Sequence, residues 1–345
     1  MRCVVTGAAG FLGSHVCEEL LRRGHSVVGI DCFVPYYPAA IKAQNQAVLL
    51  AHPHYHFHAL DLRKDDLTDA VDEADVVFHL AAMPGLPKSW TDFDGYWTCN
   101  VQATQRLLEA CRSVGSLKRF VLASTSSVYG RNAIGSETTP TNPISPYGVT
   151  KLAAEHLAKA YQDAFGLPLV TLRYFSIYGP RQRPDMAYHR FIMAISRGMA
   201  IELYGDGQQI RGNTYVGDAV TATIAAIEAP VGETYNVGGG ETASVLEIIR
   251  RLETISGRHA EMVGKPIRLG DQRQTFADTS KLRNHLKWEP LTRLDDGLAR
   301  QWQWQTQAMA ELNMSAEPIE FSNMALTRTP PPKTRKMAVT GASQA

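Results

Sequence analysis

The chain lacks the features that would assign it to the simplest functional classes. Its five cysteines (Cys3, Cys17, Cys32, Cys99, Cys111) are odd in number and form no C-x-x-C pair, so neither a disulfide framework nor a zinc knot is signalled. A reducing cytoplasm suits such a set. Neither sign of charge is in surplus: 35 lysines and arginines face 34 acids, a formal net charge of +1. That balance excludes a general electrostatic hold on nucleic acid or an anionic membrane, so an anionic ligand must be held by a local site. No apolar run approaches the roughly eighteen residues of a membrane span. No basic-then-apolar leader precedes Cys3, and the protein is expected to stay where it is made. With 44% hydrophobic and 20% charged residues among 345, there is material for one large core or two fused ones.

What the chain does have begins at its start. Residues 1–6 read as a short apolar strand running into Gly7-Ala8-Ala9-Gly10-Phe11-Leu12-Gly13, after which Leu12, Val16, Leu20 and Leu21 recur at helical spacing. In such a strand–turn–helix unit, Gly7 and Gly10 permit a tight turn and close approach of a pyrophosphate to backbone N–H groups, while Gly13 lets helix and strand pack closely. A second strand, residues 26–30, ends in Asp31, eighteen residues after Gly13. A carboxylate there would accept from an adenosine ribose and repel a 2′-phosphate, which predicts NAD rather than NADP.

Further strands are expected near 55–60, 75–79, 119–123 and 168–174, with helical stretches between them. His52, His54, His56 and His58 recur every second residue and would share one face of an extended strand. One strand seldom supplies three converging metal ligands, and no acid or thiol is spaced to complete a shell, so they read as surface or rim histidines. Asp61-Leu62, at the end of the third strand, suit the adenine edge. Leu80-Ala81-Ala82, after the fourth, are small enough for a cofactor to lie close. Ser124-Thr125-Ser126-Ser127 stand at the end of the fifth, where α/β sheets bind ligands.

Ser145-Pro146-Tyr147-Gly148-Val149-Thr150-Lys151 puts a phenol and an amine one helical turn apart, where the ammonium could favour the deprotonated phenol. Tyr147 is thereby a candidate base, since a free phenol with a pKa of about 10 needs such help at neutral pH. Strands alternating with helices predict an α/β fold with a doubly wound, Rossmann-type parallel sheet and a smaller C-terminal substrate-binding domain. The expected division is 1–174 for the cofactor domain, completed by parts of 213–240, then 175–308 for the substrate domain. A basic, proline-rich disordered tail is expected over 309–345.

In their order and spacing, the glycine turn, Asp31, the hydroxyl run, Y-G-V-T-K and R-Y-F-S-I-Y-G-P resemble the extended short-chain dehydrogenase/reductase family, and within it the NAD-dependent nucleotide-sugar epimerases and dehydratases. The resemblance covers roughly residues 2–308 and is specific at these motifs. It implies a catalytic trio of Thr125, Tyr147 and Lys151. It implies a cofactor site of Gly7, Gly10, Phe11, Leu12, Gly13, Asp31, Asp61, Leu62, Leu80, Ala81, Ala82, Asn100 and Tyr174, with Tyr147 and Lys151. Related dehydratases carry an Asp-Glu pair after the catalytic hydroxyl, and related decarboxylases a Glu at the place of Ser127. This chain has Ser126 and Ser127 there, which points to 4-epimerisation through a 4-keto sugar.

G-P-R-Q-R-P-D-M-A is similar to the G-P-W-G-R-P-D-M-A of UDP-glucuronate 4-epimerases, which implies that Arg183 faces the sugar carboxylate. By the same resemblance Ser126, Ser127 and Ser176 lie near the sugar, Tyr204 near uracil, and Arg211 and Arg273 at the diphosphate. The likeness extends to epimerases of antibiotic-sugar pathways, the moenomycin one among them, and implies a homodimer. The chain departs from the pattern at Pro84-Gly85-Leu86-Pro87, which lacks an Arg before Lys88, at Gly212-Asn213, and at Arg181-Gln182. A neutral UDP-hexose is therefore the alternative substrate, another UDP-sugar oxidoreductase or dehydratase the alternative enzyme, and a non-enzymatic dinucleotide sensor the alternative class.

Overall fold

The computed structural model describes residues 1–267 and 272–311. Seven strands make one fully parallel sheet: Arg2–Thr6, Ser26–Ile30, Tyr55–His58, Val76–His79, Arg119–Thr125, Leu169–Tyr174 and Thr234–Val237. From Arg2–Thr6 the chain first builds outward through Ser26–Ile30 to Tyr55–His58. It then returns to lay Val76–His79 on the other side of the first strand, and continues away to Thr234–Val237 at the far edge. The reversal opens a crevice beyond Thr6 and His79, the position at which such sheets bind ligands.

Period-two alternation explains why both faces are covered. Cys3, Val5, Val27, Val76, Phe78, Val121, Val170 and Leu172 point into one core, beneath Phe11, Val16 and Leu20 of the Phe11–Arg22 helix and Val216, Ala219 and Val220 of the Val216–Ala225 helix. Val4, Val28, Ile30, Val77, Phe120 and Leu122 point into the other, against Leu107 and Leu108 of the Ala103–Cys111 helix and Ala158 of the Pro146–Phe165 helix. The helical stretch between the fourth and fifth strands is not uniform. Phe93–Trp97 and Ala103–Cys111 are joined through a π-helical turn, Thr98–Gln102, that carries Asn100.

A smaller sheet stands beside the main one. Its strand Ile210–Tyr215 pairs with Ser176–Tyr178, Thr242–Ser244 and Gln274–Ala277, and the last of these pairs with Asn132–Gly135. A segment from the first half of the chain thus completes the sheet of the second half. The histidine stripe differs from expectation as well: the strand begins only at Tyr55, so His52 and His54 fall in the turn before it, rings 5.8 Å apart. The Leu294–Glu311 helix takes in the first three residues of the expected tail, 309–311, and the rest, from residue 312, lies outside the described residues.

Candidate active site

The glycine turn is held by the second strand. Gly7 and Ala8 N–H groups donate to the Ile30 carbonyl at 2.7 and 3.2 Å, and Gly10 N–H to the Gly7 carbonyl at 2.9 Å. Gly7 has φ +72°, and a Cβ on Gly13 would lie 2.1 Å from the Gly7 oxygen, so glycine is required at both positions. The Asp31 carboxylate accepts from Ala9 N–H (3.2 Å), Phe33 N–H (2.8 Å) and the Lys42 ammonium (3.1 Å). Asp61 holds Arg63 by a two-point fork at 2.9 and 2.7 Å, and that hydrogen bonding lowers its carboxyl pKa. A cleft of about 350 Å³ runs from these residues past Leu80, Ala81 and Ala82 to Tyr147, lined also by Gly7, Gly10, Phe11, Leu12, Gly13, Leu62 and Tyr174. A bare-backbone turn at a helix start, beside an acid at the end of the second strand, fits a dinucleotide.

At the other end of the cleft, the Pro146–Phe165 helix starts where its sequence dictates. The Ser145 hydroxyl accepts from Gly148 N–H at 3.1 Å, Pro146 occupies the first turn, and Gly166 closes the helix in a left-handed conformation. One turn in, Tyr147, Lys151 and Thr125 all line the cleft. The electrostatics differ from the sequence expectation. Burial pushes the Tyr147 phenol above its ordinary value, and the offset comes from a hydrogen bond with Thr125 and the charge of Arg183 rather than from Lys151. Lys151, only 3% exposed, is itself pulled down to about 8 by burial, with Glu155 opposing. Glu155 is fixed behind it by the Arg173 guanidinium at 2.7 and 3.1 Å and by the Ser124 hydroxyl.

Among the residues expected to bind the UDP-sugar, Ser176 and Arg183 reach this cleft, whereas Ser126, Ser127, Tyr204, Arg211 and Arg273 do not line it. The Tyr204 hydroxyl donates to Glu202 at 2.9 Å, and Arg273 forks onto Asp206 at 2.7 and 3.0 Å. Asn100 does not line the cleft either: its amide clamps the Met83 N–H and carbonyl at 2.7 and 3.1 Å, behind the cleft wall. The lining includes residues that motif reading missed, among them Tyr36, Tyr37, Lys42, Arg63 and Met186. Tyr36-Tyr37 had a signal, an aromatic pair between two prolines just after Asp31.

The segment bearing Arg183 is fastened at both ends. Arg181, in a left-handed conformation at φ +64°, donates to Ser14 (3.2 Å) and Glu18 (2.5 Å) on the helix behind the glycine turn. The Gln182 side chain bridges the Ile177 carbonyl, His189 N–H and the Gln301 amide. Tyr96 packs edge-on to Tyr147, centroids 6.2 Å apart, with its hydroxyl on the Gly85 carbonyl at 2.8 Å.

Sheet, glycine cradle and Tyr/Lys/Thr cluster together define a dinucleotide-dependent enzyme, and the chain belongs to the NAD dependent epimerase/dehydratase family, whose model matches residues 3–238. It is similar over 306 residues, at 47% identity, to an uncharacterized UDP-glucose epimerase of Bacillus subtilis (strain 168), covering 87% of this chain and 96% of that one. The structure of UDP-glucuronic acid 4-epimerase from Bacillus cereus in complex with UDP-glucuronic acid and NAD superposes with a TM-score of 0.87 at 44% identity, covering 89% of this chain and 100% of the other. MoeE5 in complex with UDP-glucuronic acid and NAD gives 0.81 at 39%, with coverage of 89% and 100%.

Proposed function

We infer that the protein is an NAD-dependent isomerase that inverts C4 of UDP-glucuronate to give UDP-galacturonate. One observation carries the choice of epimerisation over elimination or decarboxylation. Among the described residues, the carboxylates lining the cleft are Asp31 and Asp61, both at the dinucleotide end, and none lines it beside Tyr147. Loss of water or carbon dioxide from the sugar needs an added proton donor at that point, whereas 4-epimerisation needs a single group to take and return one proton.

Gly7, Gly10 and Gly13 would hold the pyrophosphate and Asp31 the adenosine ribose, beside Lys42. Bound NAD would supply the acceptor and donor of the C4 hydride. Tyr147 takes the proton of the 4-hydroxyl and later returns it. Thr125 holds the phenol oxygen and the sugar oxygen in register, and Lys151 keeps a positive charge at the nicotinamide ribose. Arg183 and Ser176 meet the sugar's C5 substituent. The likeness to crystal structures holding UDP-glucuronic acid with NAD supports this assignment. The likeness to a UDP-glucose epimerase favours the neutral hexose as a second substrate.

A second copy of the chain is the expected partner. Trp90, Phe93 and Trp97 are each nearly half exposed, as is Val149 on the catalytic helix, an apolar face suited to homodimer formation. Free thiols at all five cysteines suit the cytoplasm. The test is to denature the purified protein, assay the released nicotinamide dinucleotide, and then offer UDP-glucuronate to the native protein without added NAD. UDP-galacturonate should accumulate to an equilibrium mixture. A UDP-pentose formed from UDP-glucuronate, or a 4-keto-6-deoxy sugar formed when UDP-glucose is offered in the same way, would overturn the reading.

A further inference from the structure

Arg183 lines the cleft and its charge reaches Tyr147, yet its fork is already filled. Nε and Nη2 each donate to a carboxylate oxygen of Asp185 at 2.9 Å. Asp185 does not line the cleft. It sits behind the guanidinium with 15% of its side chain exposed, and also accepts from the Tyr36 hydroxyl at 3.4 Å. The Tyr36 ring in turn carries the Lys88 ammonium 5.0 Å from its centroid. The arrangement depends on Gly85, whose φ is +90° and whose Cβ would lie 2.3 Å from the Tyr36 oxygen. Three separate segments, around residues 36, 85 and 185, thus meet behind one arginine.

A planar guanidinium that spends one edge on a carboxylate keeps its remaining N–H groups for the other side, here the cleft. The pairing also changes what the arginine demands of a ligand. A desolvated guanidinium without a partner strongly favours a carboxylated sugar, because a neutral one leaves its charge uncompensated. A guanidinium that already holds a carboxylate gains less from a second and loses less without one. We propose that Asp185 is a specificity-determining residue: it aims Arg183 at the substituent on C5 of the sugar and, by compensating its charge, lets one pocket accept both a uronate and an uncharged hexose. The proposal rests on the reading that Arg183 meets that substituent.

The test compares kcat/KM for UDP-glucuronate and UDP-glucose on the cofactor-loaded wild type, Asp185→Asn, Arg183→Ala and the double variant. Asp185→Asn should raise the ratio of glucuronate to glucose by at least about tenfold, chiefly through loss on UDP-glucose. Arg183→Ala should lower kcat/KM for UDP-glucuronate by about ten- to a hundredfold, since Asp185 is then left facing the sugar acid, with much less effect on UDP-glucose. Adding Asp185→Asn to Arg183→Ala should restore UDP-glucuronate activity at least about threefold over Arg183→Ala alone. A role confined to bracing the fold would lower both substrates alike and restore nothing. Should Asp185→Asn fail to fold, the double variant decides, and no recovery over Arg183→Ala overturns the proposal. Equal loss of both substrates in Arg183→Ala would refute the underlying reading of Arg183. A normal contrast there, with an unchanged ratio in Asp185→Asn, would refute the role of Asp185 alone.

Discussion

The two ends of the cleft are prepared for their ligands in opposite ways. At the dinucleotide end the contacts are built mainly from backbone: a turn whose N–H groups are already placed by the Ile30 carbonyl, and a carboxylate held by two amides and an ammonium. Toward the sugar the cation is restrained by one of the protein's own acids, Arg183 by Asp185. A backbone cradle needs only to be filled, whereas a paired arginine must share or exchange its partner. Binding of the cofactor should therefore be the robust half of recognition and choice of sugar the adjustable half.

The largest test of that contrast is Tyr147→Phe. It removes the proton carrier without touching the cradle, so turnover should fall by at least about a hundredfold while dinucleotide released on denaturation stays at one equivalent per chain. Near-normal turnover would remove Tyr147 from its role, and loss of cofactor would show that the cradle is not self-sufficient.

Lys151 gives a smaller effect with a definite sign. Its folded value of about 8 lies below its ordinary 10.5, so between those limits the unfolded chain binds more protons and stability contributed by this residue rises with pH. Below about 8 the buried ammonium is a net burden on the cofactor-free protein. Lys151→Met should then melt a few degrees higher than wild type at pH 7, both stripped of cofactor, with the difference closing above pH 10.5. An equal or lower melting point at pH 7 would mean that Glu155 fully compensates the charge.

The smallest effect is expected at Arg273, whose side chain and that of Asp206 are each 55% exposed. Arg273→Ala should leave melting unchanged, and if Arg273 leaves Asp206 for the diphosphate as the family resemblance implies, KM for UDP-glucuronate and UDP-glucose should rise alike by about two- to fivefold. Unchanged KM for both would leave Arg273 as a partner of Asp206 only.

The same contrast governs how much of the molecule was legible in its sequence. The glycine turn, Asp31 and the Tyr147–Lys151 pair are local: each sits within one strand–turn–helix or one helical turn, so spacing alone predicts its geometry. Lys42, Tyr36 and Asp185 carry no such periodic mark, because what makes them matter is contact across the fold, with Asp185 meeting a tyrosine 149 residues away. The pull on Tyr147 is hidden from the sequence for a related reason. Helical spacing shows that Lys151 shares its face but not that burial dominates both groups, or that the offset comes from Thr125 and then Arg183, both on other segments.

The left-handed Arg181 gives the sugar end a dependence of its own. A non-glycine residue at φ +64° is held there only because its surroundings insist on it, and the surroundings here are Ser14 and Glu18 on the first helix. The loop that presents Arg183 therefore takes part of its shape from the opposite half of the chain. Transplanting residues 179–186 into a relative to alter its sugar preference should succeed only when positions 14 and 18 travel with them, and homology built segment by segment will misplace this loop wherever those two residues differ.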